Sequence, residues 1–362
     1  ISIFFSSGTT KEPKAIPFTQ ITPVKFASDG YFHQDIRKDD VVTWTTGMGW
    51  MMAPWVIFAS LLNKATLSVY VGATAGEGFK QFAEDSEITV MGTIPSIVKA
   101  WKKMEFHQSS NWKVRLFSST GEPSQVSDYF YLMAMGKFKS PIIEYCGGTE
   151  IGGSYISGTV VQPMSLTLFT TPVLGLDFYL LKPDGTTVEK NEGGEVFIIP
   201  PSVGLSKELL NCDHHTEYFE GTPKGPKGET LRRHGDAFEI IKSDQMTFYR
   251  SVGRTDDVMN LGGIKISAVE IEEVLNKAPN VFETAAVSVS GKDGGPERLV
   301  VFVVPDKKIQ RKEEFKEQLQ QLLKEQLNPL FKISAIKWLE ELPRTASNKM
   351  MRNALRKKVG AL

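Results

Sequence analysis

Glu87-Ile-Thr-Val-Met-Gly-Thr-Ile94 is an apolar, β-branched run that stops at Pro95. Ser96-Ile-Val-Lys-Ala-Trp-Lys-Lys-Met104 follows at once, with Ile97, Trp101 and Met104 on one helical face. The alternation then repeats. Val114–Ser118 predicts a second strand, Gln125–Met135 a second helix and Ile142–Cys146 a third strand. Strand, helix, strand in succession implies a mostly parallel α/β sheet, which collects its ligands at the carboxyl ends of the strands. Gly121, Glu122, Thr149 and Glu150 all fall just past such ends.

Further along, the pattern changes. Between residues 155 and 250 the apolar runs are short and alternating (Thr167–Thr171, Leu176–Leu181, Glu195–Ile199) and are punctuated by Gly and Pro, which predicts an antiparallel, barrel-like subdomain. A boundary is expected near Arg254–Asp257. Beyond it, Ser267-Ala-Val-Glu270 is a capping box opening a helix whose apolar face is Ile271, Val274 and Leu275. Val287–Val289 and Leu299–Val304 read as strands, and Phe315, Leu319, Leu322, Leu323 and Leu327 as a helical stripe that packs a core. The expected organisation is a large domain over residues 1–255, divided into an α/β subdomain (residues 1–154) and an antiparallel β subdomain (residues 155–255). A small α+β domain over residues 256–362 follows on a hinge.

The chemistry is densest in Phe5-Ser-Ser-Gly-Thr-Thr-Lys-Glu-Pro-Lys14. Ser6, Ser7, Thr9 and Thr10 supply hydroxyl donors, Gly8 allows close backbone approach and Lys14 adds positive charge, a set suited to holding the β- and γ-phosphates of a triphosphate. It lacks the second glycine of the Gly-x-x-x-x-Gly-Lys-Ser/Thr loop. Lys and Arg total 42, as do Asp and Glu, so no net field favours nucleic acid or an anionic membrane. Cys146 and Cys212 make no disulfide framework and suit a reducing compartment. The most apolar stretch, near Trp50–Leu62, is interrupted by Pro54 and is too short to span a bilayer. His33, His107, His214, His215 and His234 have no zinc-ligand spacing.

Five further motifs follow the loop in order: Gly121-Glu-Pro123, Tyr145-Cys-Gly-Gly-Thr-Glu150, His234-Gly-Asp236, Gly253-Arg-Thr-Asp-Asp257 running into Leu261-Gly-Gly-Ile-Lys265, and Pro343-Arg-Thr-Ala-Ser-Asn-Lys349. The ordered set resembles the adenylate-forming superfamily of acyl-CoA synthetases, peptide-synthetase adenylation domains and luciferases, over nearly the whole chain. The wording around Glu144-Tyr-Cys-Gly-Gly-Thr-Glu-Ile-Gly-Gly153 looks most like the acetyl-CoA synthetase-like branch, including plant peroxisomal acyl-activating enzymes.

The resemblance implies activation of a carboxylic acid with ATP to an acyl-adenylate, then transfer of the acyl group to CoA. It places Thr149 at the α-phosphate, Glu150 on Mg²⁺, Gly121, Glu122 and Pro123 along the adenine, Asp236 on the ribose hydroxyls and Arg254 at ribose or phosphate. Lys349 becomes the catalytic lysine and Asp256 the hinge. Gly263 lies along the pantetheine arm, and Lys265 beside it reaches CoA phosphate. The six basic residues between Pro343 and Leu362, unaccompanied by any acid, read as a CoA phosphate site or, for the last three, as a solvated helix face.

Three positions depart from the family pattern. Lys11 replaces a small residue, and Asn348 replaces a glycine. Cys146 stands where an aromatic stacks on adenine, so either Tyr145 takes that role instead or the stacking is lost. Gly147 occupies the place of a tryptophan that closes the acyl pocket in short-chain members; with Trp50, Met51, Met52 and Trp55 alongside, an open pocket for a medium-length or aryl acid is expected. The absence of an initial Met, and a phosphate loop only five residues in, read as the loss of an N-terminal region, which is expected to weaken ATP binding. Gly360-Ala-Leu362 is not the Ser-Lys-Leu address, so peroxisome and cytoplasm both stay open. Two alternatives remain: an adenylation domain that loads a carrier protein, and a non-catalytic paralogue or fragment.

Overall fold

The computed structural model describes residues 2–6, 13–106, 111–243, 246–261, 264–289, 297–307, 309–345 and 350–359. Its first elements are an antiparallel hairpin of β1 (Ser2–Ser6) and β2 (Lys14–Phe18), with Ser6 opposite Lys14. Next come α1 (Ile21–Phe32), β3 (Val41–Trp44), α2 (Met52–Leu62), β4 (Thr66–Leu67) and α3 (Glu77–Asp85). The alternation read from the sequence occupies β5 (Val90–Thr93), α4 (Pro95–Lys103), β6 (Leu116–Thr120), α5 (Val126–Met135) and β7 (Ile142–Gly148). Pro95 sits in the first turn of α4, where its fixed φ and missing N–H cost nothing.

β8 (Gly153–Ser157) folds back on β7, and after β9 (Leu168–Phe169) the short β10 (Thr171–Pro172) extends the same edge. The seven-stranded sheet runs β10-β8-β7-β6-β5-β3-β4. Its centre, from β3 to β7, is parallel; β8 runs antiparallel to β7, and β10 antiparallel to β8. Val90, Met91, Leu116 and Phe117 are wholly buried, as expected of strands covered by helices on both faces. On one side Trp101 of α4 stacks on Phe79 of α3.

A second, five-stranded sheet in the order β11-β12-β13-β14-β9 is built from β11 (Phe178–Leu181), β12 (Gly193–Ile198), β13 (Arg232–Lys242) and β14 (Thr247–Arg254), with β9 at its edge. β11 runs antiparallel to β12, and β14 antiparallel to β9. The short α6 (His214–Tyr218) is capped by Asp213, whose carboxylate accepts the Thr216 N–H at 2.6 Å.

The chain divides into two compact units, and the division passes through β13 and β14: residues 13–234 and 238–251 belong to the first, residues 235–237 and 252 onward to the second. The second unit contains the hairpin β15 (Val258–Leu261) and β16 (Ile264–Ser267), then α7 (Ala268–Leu275), β17 (Val281–Val289), β18 (Arg298–Pro305), α8 (Lys312–Gln326), β19 (Ile333–Trp338) and α9 (Arg352–Val359). β17 and β18 are antiparallel, and α8 carries the chain across to β19, parallel to β18. The strands are covered on both faces. Val301 and Val303 of β18 pack with Ile271, Leu275 and Leu319 of α7 and α8. Val300 and Phe302, one residue out of phase, pack with Leu355 and Val359 of α9. Phe315, Leu319 and Leu323 are buried, and Leu322 and Leu327 pack against them, so the α8 stripe is core.

The capping box forms as read. Ser267 Oγ accepts the Glu270 N–H at 3.1 Å, and Glu270 Oε2 accepts the Ser267 N–H at 3.0 Å. Ser267→Ala removes one of these partners from a fully enclosed helix start, and is expected to cost about 1 kcal/mol. Denaturant unfolding that separates the second unit from the first would read it.

Candidate active site

Thr149 and Glu150 lie in a single 3-10 turn, Thr149–Ile151, between the two strands of the β7–β8 hairpin. The turn closes through Gly152 at φ +63 and Gly153 at φ +134, backbone that only glycine adopts without strain. Glu150 is held from several sides. The Ser206 N–H donates to its carbonyl at 2.8 Å, and an Arg232 Nη atom approaches the same oxygen at 3.4 Å. His234 Nδ1 stands 3.7 Å from its carboxylate, which is 13% exposed. Burial alone raises that carboxyl, but His234, Lys14 and Arg232 outweigh it and hold the group down to about 2. It is therefore a carboxylate at every physiological pH, with positive charge around it.

The cations share an aromatic wall. The Lys14 ammonium lies 4.8 Å from the Tyr218 ring centroid and 3.2 Å from Glu217. The buried Arg232 guanidinium lies 3.8 Å from the same ring and donates to Ser206 Oγ at 2.9 Å. Arg232 and Tyr218 were not singled out from the sequence. The available signal was the strand alternation in Arg232-Arg233-His234, which sends Arg232 and His234 to one buried face and Arg233 to the other.

This donor set fits a magnesium nucleotide. One ionised carboxylate offers Mg²⁺ a hard oxygen while substrate phosphates and water supply the rest, and Lys14 provides charge for phosphate. Among the described residues no three His, Cys, Asp or Glu side chains form an all-protein metal cage.

Ser6 ends β1 opposite Lys14. Ser7, Gly8, Thr9, Thr10 and Lys11 lie outside the described residues, as do Gly263 and Asn348-Lys349. Gly121, at φ +86, follows β6. Glu122 is tied to the first turn of α4, accepting the Ser96 N–H and the Ser96 hydroxyl at 3.2 Å each, and Pro123 is exposed beside it. Trp50 and Met51 are half-buried just before α2, whereas Met52 and Trp55 are core.

Two expectations are corrected. Tyr145 does not face a nucleotide: its ring is 1% exposed, packs edge-on against Trp55 and donates its hydroxyl to Asp29 at 2.6 Å. Alternation along β7 turns Tyr145 into the core and Cys146 to the half-buried side, where its sulfur meets the Tyr155 hydroxyl at 3.4 Å. Gly147 is not a missing pocket wall either. A Cβ there would lie 1.9 Å from the Gly153 carbonyl oxygen and 2.5 Å from Ser154 Cα. The β7–β8 register shifts between Cys146 and Gly147, bringing the two backbones together, and only glycine fits.

Glu144, one residue before Tyr145, is 4% exposed, and its Oε1 has no hydrogen-bond partner among the described residues. Burial pushes its carboxyl from an ordinary 4.5 up to about 7, although the Ser124 and Tyr129 hydroxyls pull the other way. A pKa raised on folding stabilises fully below about 4.5, and that contribution is lost as pH climbs through 7. Glu144→Gln is accordingly expected to stabilise the protein by up to about 3 kcal/mol at pH 8 and to change little at pH 5. Melting curves at the two pH values check the sign.

In the second unit Arg254 donates to Asp236 at 3.2 Å, and Gly235, at φ +87, leaves room for the guanidinium, which a Cβ would meet at 2.6 Å. Asp256 lies in the 3-10 turn Thr255–Asp257, and Lys265 in β16 pairs with Asn260. Next to Asp256, Asp257 bridges two arginines of α9, Arg352 at 3.1 Å and Arg356 at 3.2 Å. Arg352 also grips Glu272 of α7 at 2.8 Å, and Arg344 pairs with Glu283 at 2.6 Å. Three of the basic residues read as a CoA phosphate site are thus engaged in ion pairs within the unit. Lys357 and Lys358 are exposed.

The chain is 46% identical, over 98% of its length, to the hexanoyl-CoA synthase of Cannabis sativa. It is 45% identical, over 99% of its length, to the Arabidopsis thaliana protein named "Probable acyl-activating enzyme 17, peroxisomal". It spans about half the length of these curated relatives, 50% in each case. Among solved structures, the acetoacetyl-CoA synthetase of Streptomyces lividans superposes with a TM-score of 0.83 at 22% identity, over 96% of this chain and 53% of that one, a likeness of fold. The family described as AMP-binding enzyme matches residues 1–206, and its C-terminal domain matches residues 270–349. The chain belongs to the AMP-binding enzyme family.

Proposed function

We propose that the protein is an acid–thiol ligase that activates a carboxylic acid with ATP and passes the acyl group to CoA. The observation that carries this reading is the ionised, half-buried Glu150 on the hairpin turn beside Thr149, flanked by Lys14 and Arg232. A carboxylate is a poor electrophile. Attack of its oxygen on the α-phosphorus of ATP forms the acyl-adenylate and breaks the bond to pyrophosphate. The CoA thiolate then attacks the acyl carbon, and AMP leaves with the electron pair. The first step brings an anion to a polyanion, so it depends on cations and donors placed beforehand.

In this reading Ser6, Ser7, Gly8, Thr9, Thr10 and Lys14 hold the β- and γ-phosphates, Thr149 meets the α-phosphate and Glu150 holds Mg²⁺. When bound, Mg²⁺ neutralises phosphate charge and acts as a Lewis acid. Gly121, Glu122 and Pro123 border the adenine, with the side chain of Glu122 serving α4. Asp236 and Arg254 take the ribose, their mutual contact fixing the carboxylate for the two hydroxyls. Lys349 bridges acid and α-phosphate oxygens, Asp256 is the hinge, and Gly263 and Lys265 meet CoA. We place the small mobile domain at 256–362, after the large domain 1–255.

For the acid, the name of the Cannabis relative favours hexanoate as the first to test, and the half-buried Trp50 and Met51 are the apolar side chains assigned to its pocket. Of the two settings left open by the sequence, peroxisome and cytoplasm, the Arabidopsis name favours the peroxisome. Among the described residues no helix is long and apolar enough to cross a membrane. Acid-dependent exchange of pyrophosphate into ATP by the full-length protein tests the first step, and CoA against a carrier protein as acceptor tests the second. Exchange with hexanoate and thioester only on CoA are the expected results; release of acyl groups only to a carrier would replace CoA in this reading.

A further inference from the structure

Lys25, Asp29 and His33 follow one another at four-residue steps from α1 onward, yet the face they share points into protein: they are 1, 0 and 2% exposed. Surface helices ordinarily turn such a stripe to water. Each polar group on it is spoken for. Asp29 Oδ1 accepts from Lys25 Nζ at 2.5 Å, and Oδ2 accepts from the Tyr145 hydroxyl at 2.6 Å and the Ser154 N–H at 3.1 Å. Lys25 Nζ also donates to the Ser154 carbonyl at 3.1 Å. The Ser154 backbone is therefore gripped at both its N–H and its C=O, and the facing strand is gripped through Tyr145. His33 accepts the Leu174 N–H through Nε2 at 3.4 Å and lies 3.3 Å from the Gly158 carbonyl through Nδ1, the pattern of a neutral ring.

Burying a full ion pair is expensive, and an apolar pair of equal volume is often as stable or more so. The best-attested return on such a pair is a fixed register. The β7–β8 hairpin needs one. Its ladder is irregular between Cys146 and Gly147, its turn is built on two left-handed glycines, and a slip of one residue would send every side chain to the opposite face. Gly153 makes room for the clamp, since a Cβ there would stand 2.6 Å from Asp29 Oδ2. Burial lowers the Lys25 pKa and the Asp29 charge opposes that, so removing Asp29 alone would strand a costly lysine.

We infer that Lys25 and Asp29 are positioning residues whose buried pair locks the β7–β8 hairpin in the one register that presents Thr149 and Glu150 to the nucleotide. The link to turnover rests on the adenylation reading; the link to register does not. The test replaces the pair by apolar residues in the full-length protein, Lys25→Met with Asp29→Leu. The apolar pair removes the buried charges but leaves the Tyr145 hydroxyl and the Ser154 N–H without their acceptor, so the variant should stay folded with a modestly lowered melting temperature. Hydrogen exchange at the amides of residues 148–154 should quicken at least about tenfold, with β5 and β6 unchanged. The kcat of pyrophosphate exchange should fall about a hundredfold, with a raised KM for magnesium ATP, as a displaced reacting group predicts.

Tyr145→Phe, which removes one donor and leaves both charges in place, should show the same two changes on a smaller scale. It carries the test if the double variant does not fold. A folded variant with unchanged protection and unchanged turnover overturns the inference. If the wild-type protein shows no adenylation, the functional reading fails while the exchange measurement still decides the register.

Discussion

Gly147→Ala is expected to unfold or severely destabilise the first unit, by an amount on the order of 4 kcal/mol. A methyl group there would lie 1.9 Å from a backbone oxygen and 2.5 Å from a backbone carbon, and neither belongs to a flexible side chain that can swing away. Relief requires prising β8 from β7, which would undo the Ser154 and Tyr145 contacts at the same time. Gly49→Ala is the matched control, because a Cβ there meets nothing within 4 Å. It should be close to neutral. Thermal melts of the two variants side by side read the difference. By the same geometry Gly147→Trp, which would close an open pocket if space allowed, meets the β8 backbone. It should appear as a folding lesion and not as a switch from longer acids to acetate.

Lys349→Ala is expected to lower acyl-adenylate formation by about 10²–10³-fold, the usual loss when one preplaced donor to a charged transition state is removed. Thioester formation from supplied acyl-adenylate and CoA should be largely spared, because in the proposed role the lysine serves the charge transfer of the first step only. The frame on either side of it is firm. The Met351 N–H donates to the Pro343 carbonyl at 2.9 Å, and Arg344 bridges to Met350. Arg344 and Arg352 are fastened to Glu283 and Glu272. A simple alanine truncation should thus act on chemistry without loosening the unit. Single-turnover measurements of the two half-reactions separate the outcomes, and equal losses in both would remove Lys349 from the proposed role.

Features set by local pattern were legible in the sequence. The run 87–146 announced β5, α4, β6, α5 and β7 in order, because buried parallel strands and amphipathic helices differ in period and Pro95 marks the border. Ser267 and Glu270 announced the cap of α7. Positions where long-range packing overrides a local motif were not legible. Tyr145 looked like a ring free to stack on a base, but the direction of the β7 pleat and the partner on α1, more than a hundred residues away in sequence, put it in the core. Gly147 looked like a gap in a pocket, and what forbids a side chain there is the close approach of β8. Nothing local marks Lys25, Asp29 and His33 as buried, since their counterparts on β7, β8 and the loop near Leu174 are distant in the chain. Arg232 sat in a basic run whose alternation could have separated its buried from its exposed members.

AMP-forming activation of a carboxylate at the Thr149–Glu150 turn is the reaction on which the functional reading stands or falls. The decisive experiment is exchange of labelled pyrophosphate into ATP by the full-length protein, with hexanoate present or absent and CoA omitted, in the wild type and in Glu150→Gln. Exchange should require both the acid and Mg²⁺, proceed without CoA, and fall at least about a hundredfold in the variant. Absence of exchange across a panel of acids from acetate to aryl carboxylates, or full exchange in Glu150→Gln, would contradict that reading.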